Sequence, residues 1–232
     1  MKSVNTTFHI PDIDDDGWKF VSVMAIITVV AALIWLPLGI VFLLLDIWCF
    51  LCFRNPDRVT PVLSSLVVAP ADGTVVSISK EKGPDCIGLQ NKKFHKIRIY
   101  SGCFDVHINR MPIKAKVGSV FYDCGKNFSG SFEVNNIGNE TFAAVLKHSE
   151  GFDFALKQTA VLCSKRIVSK LEKGNECLTG QRIGLIRFGG YVDVFLPEKV
   201  CPQVCVGQTM VAGETVIADI KSDAPRLEGE IR

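Results

Sequence analysis

The sequence has almost no net charge and lacks a recognisable metal-binding cluster. Its 26 lysines and arginines face 24 aspartates and glutamates, a formal balance of +2 that gives no electrostatic reason to expect nucleic acid as a partner. Nine cysteines are present, but the CxxC pair of Cys49 and Cys52 lies in an apolar run without the second pair or histidine cluster of a zinc site. We therefore expect no metal, and free thiols in a reducing compartment.

Charge is also missing from a long stretch near the N-terminus. No charged residue occurs in residues 20–45, and after one aspartate the apolar run continues to residue 53. About 20 apolar residues suffice to cross a bilayer, so residues 20–53 are predicted to form a hydrophobic membrane anchor behind an N-terminal segment, 1–19. Pro37 and Gly39 interrupt the run, and both a single crossing and a helical hairpin are open interpretations.

The residues that flank the apolar run bear on its orientation. Arg54 and Arg58 follow it, and positive charge at this end favours a cytoplasmic location for the rest of the chain. The acidic stretch Asp12–Asp16 precedes it and no small-residue cleavage site follows, which argues against a cleaved signal peptide. We expect a bacterial-type inner or cell membrane, with the following domain facing the cytoplasm.

The remainder, 54–232, is predicted to be mainly β. Short β-branched runs are separated by glycine, proline and asparagine, and the predicted strands are 66–69, 74–79, 96–100, 116–122, 141–147, 183–188 and 191–196. Residues 154–169 fit either a helix or a long strand. A polar tail is expected at 222–232.

Two segments of this domain look like the paired strands of barrel-sandwich folds. They are Ala69–Val76 and the run 204–220, which carries turn signals at Gly207-Gln208 and Ala212-Gly213. No lysine occupies a hairpin tip there, which argues against a carrier domain. The predicted fold class is a mainly β (α+β) catalytic domain with barrel-sandwich-like strands behind an N-terminal hydrophobic helical anchor.

Four polar motifs stand out. In chain order they are Arg54-Asn55-Pro56-Asp57-Arg58, Ala69-Pro70-Ala71-Asp72-Gly73-Thr74-Val75, Phe104-Asp105-Val106-His107-Ile108-Asn109-Arg110-Met111-Pro112 and Arg182–Pro197. Read singly, the first is an exit from a helix and the second is a turn. The third places Asp105 and His107 on one face of a strand, and a histidine suits proton transfer near neutral pH. In the fourth, Gly189-Gly190 reads as the two-residue turn of a β-hairpin.

In order and spacing, these motifs resemble the phosphatidylserine decarboxylases of the short, membrane-associated, pyruvoyl-dependent type. The resemblance runs from about Trp18 to Ile220 and includes the anchor. It implies a lyase of phospholipid biosynthesis that converts phosphatidylserine to phosphatidylethanolamine at a phospholipid membrane. The implied cofactor is a covalent pyruvoyl group made from the enzyme's own chain, an amine-reactive carbonyl that serves as electron sink for loss of CO₂.

The family makes this group by autocatalytic cleavage of a zymogen, in which a serine hydroxyl attacks the carbonyl of the preceding glycine. Carried over, Gly189 would end a larger β chain, and position 190 would begin a smaller α chain and bear the pyruvoyl group. His107 and Asp72 match the family's charge-relay pair. Asp105, Arg110 and Arg187 are weaker candidates for supporting that pair or contacting the substrate carboxylate or phosphate. The partners implied are the lipid, the two cleaved chains and a homo-oligomer.

The sequence departs from the family pattern at the residue that the chemistry needs most. Position 190 is Gly190 where the family has serine, and no serine, threonine or cysteine occurs between Thr179 and Cys201. We therefore predict an uncleaved chain without decarboxylase activity. Two alternatives from other classes remain: a catalytically silent phosphatidylserine-binding relative, and a membrane-tethered barrel-sandwich binding module.

Overall fold

The computed structural model describes residues 12–126, 138–161, 165–222, 224 and 227. Residues 1–11 of the N-terminal segment and most of the expected polar tail lie outside this range. The chain divides into two compact units, one ending at Asp57 and one beginning at Arg58.

The first unit is an antiparallel pair of apolar helices, α1 (Asp15–Ile34) and α2 (Leu36–Phe53). Gly17 near the start of α1 lies against Phe53 at the end of α2, and the rings of Phe20 and Phe53 stack with centroids 5.3 Å apart. Strands β1 (Asp12–Ile13) and β2 (Arg54–Asn55) pair antiparallel across the open end. Both helices are long and apolar enough to cross a membrane, and most of their large apolar side chains are exposed, which is consistent with membrane association.

The boundaries of these helices differ from those of the apolar run. Helix α1 begins at Asp15, five residues before the charge-free stretch, because Asp14 caps it by accepting a hydrogen bond from the backbone N–H of Asp16 at 3.3 Å. The helices separate at Trp35, whose backbone is extended. Pro37 lies inside the first turn of α2, where a missing N–H costs no helical hydrogen bond.

The second unit is β-rich, as the sequence predicts. A short 3₁₀ turn at Asp85–Ile87 lies between the fourth and fifth strands. The strands are β3 (Leu66–Val68), β4 (Gly73–Lys82), β5 (Lys93–Ser101), β6 (Ile108–Arg110), β7 (Ala115–Asp123), β8 (Glu140–Lys147), β9 (Asp153–Ala160), β10 (Ile167–Ser169), β11 (Glu176–Cys177), β12 (Arg182–Ile186), β13 (Gly190–Pro197), β14 (Thr209–Met210) and β15 (Val216–Asp219).

An eight-stranded antiparallel sheet organises this unit, in the order β11-β7-β8-β9-β13-β5-β4-β14. A three-stranded sheet, β10-β12-β6, and a two-stranded sheet, β15-β3, complete the described strands. Apolar side chains from all three sheets form one core, in which Ile97, Met111, Leu156, Ile183 and Val194 are almost fully buried. Burial of this apolar area supplies the main stabilising free energy of the unit.

The segment 154–169 contains no described helix. Residues Asp153–Ala160 form β9, which lies between β8 and β13 and is buried on both faces. Strand β10 follows in a different sheet, and residues 162–164 lie outside the described part of the chain. Burial on both faces removes the alternation of polar and apolar residues that marks a half-buried strand, which is why the sequence left this segment open.

The hairpin predicted around Gly189-Gly190 is wrong. Strand β12 pairs with β10 and β6, whereas β13 pairs with β5 and β9, so the chain passes from one sheet to another between Ile186 and Gly190. The positive φ angles fall at Phe188 (60°) and Gly189 (77°), one residue earlier than a Gly189-Gly190 turn requires. The glycine pair does indicate a turn, but this turn connects strands of two different sheets and not the two strands of a hairpin.

The predicted barrel-sandwich pairing is present. Strand β14 pairs with the start of β4, and β15 pairs with β3, which brings the run 204–220 against residues 66–76. The two predicted turns occur where expected, with positive φ at Gly207 (90°) and Gly213 (79°). This pairing fixes the position of Asp72 just before β4.

Candidate active site

Four strand ends meet where the candidate residues lie. Strand β13 begins at Gly190, which is opposite Ser101 at the end of β5, while Tyr191 is opposite Thr159 near the end of β9. Strand β4 begins at Gly73, whose φ is +142° and where any Cβ would overlap the carbonyl oxygen of Tyr100. Because neighbouring strands are antiparallel, the ends of β5 and β9 share one edge with the starts of β4 and β13.

His107 lies in the loop that leaves this edge. The residue is 1% exposed, and its Nε2 is 3.0 Å from the carbonyl oxygen of Gly102. The carbonyl oxygen of His107 accepts a hydrogen bond of 3.1 Å from the N–H of Ile186, three residues before Gly189. A buried imidazole is thereby fixed beside the connection that leads to position 190.

Asp105 acts within the same loop. Its Oδ2 accepts a hydrogen bond of 2.7 Å from the N–H of Gly102, and its own N–H donates to the carbonyl oxygen of Gly102 at 3.2 Å. Both Asp105 and His107 therefore contact the peptide groups of Gly102, the residue after Ser101. We infer that Asp105 shapes the loop that holds the imidazole.

Asp72 is a partly buried carboxylate for which two hydrogen-bond partners are described. Its Oδ2 pairs with Nη2 of Arg58 at 2.7 Å, and its Oδ1 accepts from the N–H of Ala212 at 2.7 Å. The side chains of Arg58 and Asp72 are only 16% and 13% exposed. Arg58, which the sequence offered only as part of a helix exit, is thus the cation that neutralises this carboxylate.

The Asp72 segment runs beside the histidine motif. The N–H of Arg110 donates to the carbonyl oxygen of Pro70 at 2.8 Å, which ties β6 to the turn that contains Asp72. A direct contact between Asp72 and His107 stays a prediction drawn from the family resemblance. The backbone pairing supports it by bringing both residues to one edge of the sheet.

The turn before Gly190 is conformationally strained. The N–H of Gly189 donates to the carbonyl oxygen of Ile186 at 3.1 Å, which closes the turn. Phe188 and Lys165 are the non-glycine residues with positive φ among the described residues, at 60° and 64°, and such a conformation costs roughly 1–3 kcal/mol. At Gly189 any Cβ would overlap the carbonyl oxygen of Ser101, so only glycine fits.

Arg166 spans both strained segments and was missed by the sequence analysis. Its guanidinium group donates to four backbone carbonyl oxygens, those of Val161 (2.7 Å), Arg187 (2.8 Å), Phe188 (2.9 Å) and Gly189 (2.7 Å). No motif identified this residue, because it lies in the segment that the sequence left open and its partners are backbone groups. The contact to Gly189 is to the carbonyl that precedes position 190.

Glu140 and Tyr122 hold Arg166 in place. Glu140 is fully buried, and its Oε2 accepts hydrogen bonds from the backbone N–H groups of Arg166 (2.7 Å) and Ile167 (3.2 Å). The hydroxyl of Tyr122 donates to Oε1 at 2.7 Å. Partial burial of the hydroxyl and then this hydrogen bond raise the pKa of Tyr122 to about 12.

The two arginines proposed as substrate contacts occupy different surroundings. Nη1 of Arg110 donates to the carbonyl oxygen of Gly180 at 3.0 Å, a contact that fixes the backbone. Nη1 of Arg187 donates to the carbonyl oxygen of Lys165 at 2.8 Å. Arg187 also lines a cavity of about 500 Å³ together with Lys165 and Tyr122. The cavity makes Arg187 the better placed of the two to meet an anionic group.

A buried ion pair fixes the register of β13. Asp193 is 1% exposed, and its two carboxylate oxygens accept from Nε and Nη2 of Arg98 at 2.7 and 2.8 Å. These residues are direct cross-strand partners on β13 and β5. Asp193 raises the pKa of the Arg98 guanidinium by this hydrogen bonding. The pair supports the register in which Gly190 lies opposite Ser101. Asp193 belongs to the fourth motif, but it lies outside the turn before Gly190.

The fourth motif also contains the position where the chemistry is incomplete. Gly190 is buried and carries no side chain, and its φ lies outside the positive range. A Cβ there would lie 2.7 Å from the carbonyl oxygen of Thr159 and 3.1 Å from Cγ2 of Ile186. The site therefore combines a fixed imidazole, a partly buried carboxylate and a bound Gly189 carbonyl with a residue that has no nucleophile.

Comparisons with known proteins identify the family of this chain. Residues 45–218 match the family described as phosphatidylserine decarboxylase. The chain is 40% identical over 217 residues to a phosphatidylserine decarboxylase proenzyme of Cereibacter sphaeroides, covering 94% of both chains. It is 41% identical over 206 residues to the proenzyme of Ruegeria pomeroyi, covering 89% of this chain and 94% of the relative. On these matches, the chain belongs to the phosphatidylserine decarboxylase family.

Proposed function

We propose that this protein has the fold and acid–base site of a phosphatidylserine decarboxylase proenzyme but remains an uncleaved chain. The observation that carries this proposal is Gly190, which begins β13 at the edge where His107 and the carbonyl of Gly189 are held. In a chain with serine at 190, this edge is where a hydroxyl would stand next to the Gly189 carbonyl. The supporting groups are kept and the nucleophile is absent.

The pyruvoyl group of the family does not fit the residues present. It derives from the residue at position 190, and that residue must supply a side-chain oxygen for the attack and a Cβ for the product. Gly190 has neither, and no serine, threonine or cysteine occurs in residues 180–200. The group would supply the electron sink for loss of CO₂ from phosphatidylserine, so we propose that this chain lacks decarboxylase activity.

We assign the roles of the other residues from their contacts together with the family resemblance. We assign His107 as the base for a hydroxyl at 190, since its imidazole is fixed beside the connection to that residue. Asp72, neutralised by Arg58, is the carboxylate assigned to orient that histidine. Asp105 shapes the loop that carries the histidine, and Arg187 contacts the lipid headgroup from the neighbouring cavity.

The N-terminal helices suit a lipid substrate. We propose that α1 and α2 anchor the protein in a bacterial inner or cell membrane, with the domain from Arg54 onward facing the cytoplasm. The large apolar side chains exposed along both helices support this assignment, as does the arginine at the exit of α2. A homo-oligomer is part of the proposal on family resemblance.

The test compares the protein with its Gly190→Ser and Gly190→Ala variants, all purified in detergent. Intact mass is measured for each, together with CO₂ release from phosphatidylserine. We expect only the serine variant to split after Gly189 and release CO₂. The alanine variant carries the same Cβ without the hydroxyl, so it separates the chemical effect from the steric one. A native chain already split after Gly189 would overturn the proposal.

A second role is favoured by the same glycine. A chain that keeps the lipid site without processing would bind phosphatidylserine and not turn it over. Co-sedimentation with phosphatidylserine vesicles, compared with phosphatidylcholine vesicles and with an Arg187→Gln variant, measures this binding. Equal binding to both lipids would count against a specific headgroup site and leave membrane anchoring alone.

A further inference from the structure

The contacts of Arg166 point to a function beyond folding. The two N–H groups of its Nη2 are directed at the carbonyl oxygens of Phe188 and Gly189, at 2.9 and 2.7 Å. The second of these oxygens belongs to the peptide group that joins Gly189 to Gly190. Among the described residues, a side-chain cation thus rests directly on the peptide bond where the family cleaves its chain.

Among the described residues, the guanidinium group of Arg166 forms no ion pair with a carboxylate. All of the described hydrogen bonds of the guanidinium group end on backbone carbonyl oxygens. The nearby buried carboxylate of Glu140 instead accepts from the backbone N–H of Arg166. A guanidinium held by neutral dipoles retains its electrostatic effect on each oxygen that it contacts, and more strongly in a partly buried site than in water.

The surrounding structure holds this contact rigidly. Glu140 and Tyr122 fix the backbone at Arg166, and Nη1 of Arg187 binds the carbonyl oxygen of Lys165 in the opposite direction. The strained φ angles of Lys165 and Phe188 lie in the two segments that these contacts join. Such an arrangement needs little reorganisation when charge develops on the oxygen, which is the requirement for an oxyanion site.

We propose that Arg166 is the electrophilic residue of chain cleavage, the group that polarises the Gly189 carbonyl and binds the oxyanion formed there. The proposal rests on the proposed function and deepens it. When a hydroxyl at 190 adds to the Gly189 carbon, its proton passes to His107 and the carbonyl electron pair moves onto the oxygen held by Arg166. Collapse breaks the bond from this carbon to the nitrogen of residue 190, which takes up the proton and leaves an ester.

The first arm of the test uses the chain as it exists, with Gly190. The sequence contains one Gly-Gly pair, residues 189–190, so labelling with 1-¹³C- and ¹⁵N-glycine gives a single carbonyl carbon bonded to labelled nitrogen. The ¹³C resonance of Gly189 is then read without assignment of the whole chain. We expect Arg166→Met to shift it toward the position of a weakly hydrogen-bonded carbonyl, with Arg166→Lys in between and Arg182→Met, an exposed control, unchanged.

The second arm measures cleavage in the Gly190→Ser background. Loss of one oxyanion donor typically lowers a rate about 10²–10³-fold, so we expect that loss for Arg166→Met and a smaller loss for Arg166→Lys. Hydroxylamine, which traps esters, should release the fragment from the Met variant more slowly by the same factor, since the ester forms more slowly. A purely structural role predicts instead that cleavage falls in parallel with the melting temperature in both variants, whatever their charge.

The two arms separate the proposals. If the Gly190→Ser chain does not cleave but the Gly189 carbonyl shifts on Arg166→Met, the cleavage proposal fails and the polarising contact stands. If the carbonyl does not shift, the Arg166 proposal is overturned whether or not the serine chain cleaves. Equal cleavage rates for the Met variant and its parent would overturn it as well.

Discussion

Replacement of Gly190 by alanine tests how closely the strands pack at the proposed cleavage point. A Cβ at this position would lie 2.7 Å from the carbonyl oxygen of Thr159, where an ordinary contact is at least 3.4 Å, so the two must separate by 0.7 Å. Thr159 pairs with Tyr191 on one side and Thr141 on the other, so this oxygen cannot move alone. The strain must therefore be distributed over the central strands of the sheet.

The size of the effect follows from the kind of contact. Adding a methyl group to a well-packed interior typically costs about 1–3 kcal/mol, which lowers the melting temperature of a domain of this size by about 2–12 °C. Thermal unfolding of Gly190→Ala against the parent, in the same detergent, measures it. The φ of Gly190 is not positive, so no backbone penalty adds to this estimate.

Gly102→Ala is the matched control for this prediction. Its Cβ would make an ordinary contact at 3.4 Å with Oδ2 of Asp105, and its φ is likewise not positive. A compatible Gly→Ala change stabilises by about 0.4–1 kcal/mol because it restricts the unfolded chain. If Gly190→Ala is as stable as Gly102→Ala, the strands are not closely packed at position 190 and the reasoning fails.

Two further predictions concern the frame of the site. Asp193→Leu should lower the free energy of unfolding by about 3–5 kcal/mol, because it leaves the largely buried Arg98 without its carboxylate. The Asp193→Leu/Arg98→Met double variant should melt at a higher temperature than either the Asp193→Leu or the Arg98→Met single variant. A loss in the double variant equal to the sum of the two single losses would refute a coupled pair. Tyr122 should ionise only at strongly alkaline pH. Since its pKa is raised from 10.0 to about 12, its stabilising effect is present below pH 10 and is lost as pH rises toward 12. Phenolate absorbance and melting against pH, with Tyr122→Phe as control, check both statements.

Several residues of the candidate site could be singled out from the sequence because their side-chain types are unusual in a β-rich segment. Asp72, Asp105 and His107 stand in dense polar motifs, and alternation placed the neighbouring strands to within a few residues. The prediction that Asp105 and His107 share one face of a strand is wrong, because both lie in the loop before β6, which begins only at Ile108. The partner of Asp72 was not predictable in the same way. Arg58 lies 14 residues away, and only the fold shows that it pairs with this carboxylate.

Two features were not predicted because they depend on contacts between residues that are distant in sequence: the change of sheet at Gly189-Gly190 and the contacts of Arg166. The Gly189-Gly190 pattern is the same for a hairpin as for a change of sheet, because the partners of β13 are β5 and β9, which are distant in sequence. Arg166 was missed for a related reason. Backbone carbonyl oxygens are present at every position, so a side chain that binds four of them leaves no matching residue type in the sequence.

The two adjacent glycines, Gly189 and Gly190, are subject to different structural constraints. Gly189 is required by the backbone, since its φ of 77° disfavours any side chain and a Cβ would overlap the Ser101 carbonyl oxygen. Gly190 has an ordinary φ, so its backbone geometry does not demand glycine. A Cβ at 190 would press against the carbonyl oxygen of Thr159 and cost packing energy, but the turn itself is held by Gly189 and Arg166 and does not depend on the missing side chain. A chain can lose the nucleophile and keep the turn, which is why we expect the restored hydroxyl to meet a carbonyl that is already bound and polarised.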